Sequence, residues 1–123
     1  MDFYNWQTQV RKGLLEMVVM NLLVQGEFHG YEMVQRLRQL KGLEIREGNI
    51  YAVLARLQID GLVSTYTMAS TDGPRRKYYK LTKVGEQVLD RMNEHWADVT
   101  EGIDQTTSGG SRRRKASTGS DRR

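Results

Sequence analysis

Arg75, Arg76 and Lys77 stand directly after Asp72-Gly73-Pro74, so three fixed positive charges follow a turn-forming triplet. Cations on a protruding tip suit the phosphates or the adjoining minor groove of DNA. A solvated edge strand, which Lys and Arg also protect, has the same composition. The chain offers little for catalysis. His29 and His95 are its only histidines, cysteine is absent, and no His-Glu-x-x-His, phosphate-loop or nucleophile-elbow pattern occurs. Glu86, Asp90, Glu94 and Asp98 recur every four residues, which marks a solvated helix face more readily than a metal site. No enzyme activity, metal or cofactor is expected. Trp96 has two readings: a large knob in an interface, or, paired across a two-fold axis, the walls of a slot for a flat apolar ligand.

The elements that must position these residues follow from periodicity. Glu47 to Val63, EGNIYAVLARLQIDGLV, holds Ile50, Leu54 and Leu57 at helical spacing, and Gly61 is a natural stop. The spacing predicts a helix over 47–60 without a strong capping side chain. Before it lie a helix from Met1 to Gln25, with a kink or break expected near Gly13, and a second from Tyr31 to Leu40. In the first, Phe3, Trp6 and Val10 line one side, and Leu14, Leu15, Val18 and Leu22 continue an apolar face. Phe28-His29-Gly30 reads as a connection, Leu43-Glu44-Ile45 as a short extended link, and Val34 and Leu37 as the inward residues of the second helix. After the central helix, Leu62–Met68 and Arg75–Leu81 are β-rich runs flanking Ala69–Pro74, a hairpin in which one of Tyr78 and Tyr79 faces the core. Thr82 is placed to cap a last helix whose Leu89, Met92, Trp96, Val99 and Ile103 form a heptad seam.

A chain of 123 residues supports one small domain with an accessory helix, and its modest core favours burial shared in a dimer. The net charge of +4 is unevenly placed. Residues 106–123 carry six of the 19 Lys/Arg and one of the 15 Asp/Glu, leaving 13 basic and 14 acidic groups on the other 105 residues. DNA affinity must therefore come from local patches, from the tail, or from both. That tail has one apolar residue, Ala116, and is expected to be disordered. Arg112-Arg113-Arg114-Lys115 suits loose phosphate contact, and the same run before Ser117 resembles a basophilic kinase site. No apolar run is long enough for a membrane span, no leader is evident, and the absence of cysteine fits a reducing cytosol, so a cytoplasmic protein is expected.

Two helices, a central helix, a basic hairpin and a long helix follow the order of a winged helix-turn-helix, with Glu47–Asp60 as the groove-reading helix. Three stretches carry a more specific likeness. RKGLLEMVVMNLLVQGEFHGYEMVQRL, EGNIYAVLARLQIDGLVSTY and DGPRRKYYKLTKVGEQVL resemble the PadR family of bacterial transcriptional regulators, over about Arg11 to Ile103. The strongest matches are His29-Gly30-Tyr31-Glu32, Gly48 to Leu57, and Gly73 to Thr82. Many members have proline where this chain has Ala52, and the basic tail lies outside the family pattern.

The resemblance implies a mostly α fold with a small β-hairpin wing: a winged helix-turn-helix over 1–81, a C-terminal dimerisation helix over 82–105, and the tail 106–123. It implies a homodimer on double-stranded DNA, usually repressing a nearby promoter. The expected DNA-contacting set is Tyr31, Gln35, Arg46, Asn49, Tyr51, Arg56, Arg75, Arg76 and Lys77. The dimerisation set is Phe3, Trp6, Leu89, Met92, Trp96, Val99 and Ile103. Trp96 is similar in placement to the tryptophan that lines the dimer-centre pore of the family's multidrug-sensing repressors. By that likeness Val10, Met17, Asn21, Met92, Trp96 and Thr100 become wall residues for a small apolar or aromatic ligand. Two alternatives use the same fold without specific DNA binding: a protein-interaction module and a small-molecule carrier.

Overall fold

The computed structural model describes residues 1–107. In chain order it contains α1 (Phe3–Val24), β1 (Phe28–His29), α2 (Gly30–Arg38), α3 (Glu47–Ile59), β2 (Val63–Ser70), β3 (Gly73–Leu81) and α4 (Lys83–Thr107). The chain divides into two compact units, Met1–Leu89 and the part from Asp90 onward. The basic run expected to be a disordered tail lies outside the described residues, apart from Thr106 and Thr107, which belong to α4 and extend it past the expected end at 105.

The core of the first unit comes from every element. It comprises Leu15, Val19, Met20 and Leu23 of α1, Phe28 of β1, Met33, Val34 and Leu37 of α2, Ile50, Val53, Leu54 and Leu57 of α3, and Val63, Tyr79 and Leu89 of β2, β3 and α4. α3 buries the expected stripe, with Val53 added. α1 departs from expectation. It is one helix through Gly13, and its buried face is Leu15, Val19, Met20 and Leu23, while Leu14, Val18 and Leu22 stay half-buried. Residues 14–24 are apolar almost all round, so periodicity alone gave no single face. Asp2 caps the helix, its Oδ1 accepting from the backbone N–H of Tyr4 at 3.0 Å and of Asn5 at 3.3 Å.

Three joints fix how α3 meets its neighbours. The segment before it turns through Gly42 at φ 82° and Glu44 at φ 46°, so it is not the extended link expected, although Ile45 is buried. Arg46 caps α3 without a side-chain bond, as the sequence suggested. At the far end Gly61 adopts φ 77°, the Leu62 N–H donates to the Leu57 carbonyl at 2.9 Å, and the Gly61 N–H donates to that of Gln58 at 3.1 Å. That pairing is a Schellman stop, which left-handed glycine permits. Thr82 then joins three elements. Its N–H donates to the Leu62 carbonyl at 3.1 Å, its hydroxyl donates to the Gly61 carbonyl at 2.7 Å, and its Oγ1 accepts from the Gly85 N–H at 2.9 Å.

The sheet has three antiparallel strands in the order β1-β3-β2, so Phe28-His29 is a strand and not merely a connection. Two residues carry no period from which to read a strand. Phe28 pairs with Tyr79 and His29 with Tyr78, while Tyr66 of β2 faces Tyr78 from the other side. Tyr79 is buried. Tyr78 lies on the opposite face, stacked on Tyr66 with centroids 5.5 Å apart and edge-on to His29 at 5.4 Å. Pro74, expected in the turn, belongs to β3, and the reversal is the tighter Thr71-Asp72. The Tyr66 hydroxyl donates to Glu27 Oε1 at 2.5 Å, and that bond is the main cause pushing its pKa up to about 12.

Two outcomes test these joints. A Cβ at Gly85 would sit 2.0 Å from the Leu62 carbonyl oxygen, so Gly85→Ala must move backbone. Thermal unfolding should show it destabilised by about 1–3 kcal/mol or more. For Tyr66, a folded pKa raised above 10.0 means the bond's contribution is intact below pH 10 and lost as pH rises toward 12. Titration of phenolate absorbance should show a late-ionising group that Tyr66→Phe removes.

Candidate nucleic-acid interface

The exposed side of α3 is built of small residues. Ile50, Val53, Leu54 and Leu57 occupy its core face, so helical geometry puts Gly48, Ala52, Ala55 and Ile59 on the outermost ridge, all exposed. Ile59 is 84% exposed. A ridge of glycine and alanine lets the backbone approach a facing surface closely. The longer side chains stand on the flanks, Tyr51 on one and Asn49 and Arg56 on the other.

The Tyr51 flank is a concavity of about 310 Å³ among the start of α2, α3 and β3, including His29, Gly30, Tyr31, Arg76 and Lys77. Its organising residue is His29, absent from the expected DNA-contacting set. His29 caps α2: its Nδ1 accepts from the Glu32 N–H at 3.3 Å, and Glu32 Oε1 accepts from the His29 N–H at 3.1 Å. Its Nε2 lies 3.0 Å from Arg76 Nη1, so one ring joins α2 to the wing. Gly30 follows because a Cβ there would come within 2.7 Å of the Tyr51 ring. The quoted His29-Gly30-Tyr31-Glu32 motif was the available signal: cap, close approach, exposed aromatic, reciprocal carboxylate.

The expected residues separate into groups. Tyr31 is 61% exposed on α2, and its hydroxyl accepts from Gln35 Nε2 at 3.0 Å. Arg46 is exposed at the start of α3. Strand alternation divides the wing cations. Arg75 and Lys77 share the face of Tyr79, with Lys77 Nζ 5.6 Å from that ring's centre, while Arg76 shares the face of Tyr78. Arg75 Nη2 donates to Thr67 Oγ1 at 3.1 Å, which ties it across the hairpin. Arg56 leans toward α1, its Nε 3.4 Å from Glu16 Oε2.

The expected ligand and dimer residues fall in both units. In α1, Val10 is exposed and Met17 and Asn21 are half-buried, while Phe3 and Trp6 are exposed and stacked with centroids 5.8 Å apart. In α4, Met92, Trp96 and Val99 are half-buried and Ile103 is exposed. The Thr100 hydroxyl bonds back to the Trp96 and Ala97 carbonyls, both at 2.9 Å. Leu89 is only 2% exposed and is already used by the core of the first unit. Among the described residues no three His, Asp or Glu side chains are grouped to hold a metal, and no helix is long and apolar enough to cross a membrane.

Residues 19–91 match the Transcriptional regulator PadR-like family, more than half of the chain. The chain belongs to that family. It is 31% identical over 100 residues to an uncharacterized protein of Lysinibacillus sphaericus, covering 80% of this chain and 92% of that one. A PadR-like transcriptional regulator from Bacillus cereus is similar in structure, with a TM-score of 0.75 and 32% identity over 83% of this chain and 99% of the other. A PadR family regulator from Eggerthella lenta gives a TM-score of 0.74 at 26% identity, over 85% and 90% respectively. PadR membership makes this a winged-helix, DNA-binding transcriptional regulator.

In this PadR protein the concavity geometry has a direct consequence. Gly30→Ala must displace the Tyr51 ring, a flexible group, while leaving the core untouched. The variant should melt within about 1 kcal/mol of the parent yet bind DNA measurably more weakly, as read by fluorescence anisotropy.

Proposed function

We propose that the protein is a homodimeric repressor that places α3 in the major groove of a pseudo-palindromic operator and answers to a small ligand held between its dimerisation helices. The observation carrying the DNA part is the small-residue ridge of α3 beside a concavity in which His29 holds Arg76 against the start of α2. A helix that approaches closely needs its grip at the sides, from phosphate contacts that position it. Tyr51 and Asn49 on the flanks are the base-edge candidates, while Tyr31, Arg76 and Lys77 suit the backbone.

Dimerisation is supported by α1 itself. Phe3, Trp6 and Val10 are 56%, 52% and 40% exposed along a capped helix, apolar area that a second copy would cover. Half-sites about one helical turn or a multiple apart follow from two-fold symmetry. Val10, Met17 and Asn21 on α1 and Met92, Trp96 and Thr100 on α4 are the proposed ligand contacts. A flat apolar or aromatic molecule suits an indole and polarizable thioethers.

Binding to DNA upstream of the protein's own gene, beside a shuffled duplex at equal salt, tests the first part. A preference of roughly a thousandfold or more is expected for a specific regulator; equal weak binding to both would favour an interaction module. Trp96→Ala should abolish the ligand's effect on DNA affinity while the dimer persists by light scattering. An unchanged response would remove Trp96 from the ligand site.

A further inference from the structure

On the flank of α3 away from Tyr51, a cleft of about 170 Å³ opens against α1. Thr8, Arg11 and Lys12 face Asn49 and Arg56 across it. Its lining holds three cations, Arg11, Lys12 and Arg56, and no carboxylate, on a body with 13 basic and 14 acidic groups; Glu16 lies 3.4 Å from Arg56. Arg11 is anchored: Nη1 donates to the Leu43 and Glu44 carbonyls at 3.3 and 3.4 Å, and Nη2 to Thr8 Oγ1 at 3.3 Å. Lys12 lines the same cleft and is exposed.

We propose that this cleft receives a phosphate of the DNA backbone, with Lys12 as the contacting cation and Arg11 as the residue that positions the cleft wall. The inference rests on the reading of α3 as the groove helix. A helix in the major groove has a phosphate strand along each side. The concavity with Arg76 and Lys77 serves one side, and the α1 cleft is the cationic surface on the other. Dimerisation leaves it open, because Thr8, Lys12 and Leu15 share one side of α1 while Phe3, Trp6, Val10 and Met17 fall on another. α1 thus becomes a DNA-contacting element, and the footprint of each half-site extends beyond the wing and α3.

The test is the salt dependence of DNA affinity for Lys12→Gln, measured on the specific and the shuffled duplex. The expected result is a salt slope lower by about one and an equal fractional loss on both duplexes, the mark of a phosphate contact. The melting temperature should not change, since Lys12 is exposed. Arg76→Gln and Lys77→Gln are measured in parallel. If they lower the slope and Lys12→Gln does not, the cleft assignment is overturned while the groove reading stands. If neither wing variant changes it, the groove reading itself fails. Inorganic phosphate without DNA is the last arm: calorimetric heat seen with the parent and lost in Lys12→Gln would assign the cleft to a free anion instead.

Discussion

The stop at the end of α3 is the constraint on which the rest of this structure depends. Gly61 turns left-handed, and its neighbour Leu62 uses both backbone groups at once. The Leu62 N–H closes α3 on Leu57, and the carbonyl accepts from Thr82 at the start of α4. Gly85 packs on that same carbonyl, leaving no room for a side chain. α3, the wing and the root of α4 therefore meet within a few atoms. A residue inserted there would shift β2 by one position, and the period of two would turn Val63 out of the core.

The charge distribution fits this rigidity. The body is not basic overall, so attraction to DNA cannot come from a broad positive field. Within the body, it must come from a few cations held at fixed places. Arg76 is held by His29, Arg75 by Thr67, and Arg11 by two carbonyls and Thr8. The exposed Arg56–Glu16 pair contributes at most about 1 kcal/mol to stability. Its effect is on position, since it turns the guanidinium toward α1 and away from the outer ridge.

What the sequence made legible was whatever repeats locally. The α3 stripe, the Gly61 stop, the Thr82 cap and the hairpin all rest on neighbours within a few residues, and all are present. The misses were contacts made across the chain. β1 exists only because Phe28 and His29 find Tyr79 and Tyr78 some fifty residues on. The core face of α1 was ambiguous because nearly every side of residues 14–24 is apolar. His29 as a cap was overlooked because Ser, Thr, Asp and Asn dominate that position. The cleft beside Lys12 had no local signal, since its walls come from helices almost forty residues apart.

That ambiguity in α1 has a physical meaning. On the proposed dimer reading the helix has two jobs, and a single apolar stripe would serve only one. Leu15, Val19, Met20 and Leu23 fix it to the core, while Phe3, Trp6, Val10 and Met17 are left for another surface. The helix also holds α3 at both ends, through Arg11 on the Leu43-Glu44 turn before it and Glu16 on Arg56 in its last turn. On the proposed dimer reading, a ligand that prefers one seating of α1 against the partner shifts the population toward that seating. α3 would follow, because it shares a core with α1. The distance between the two recognition helices then changes with the ligand, and coupling of this kind acts in both directions: DNA that fits one spacing alters ligand affinity by the same factor.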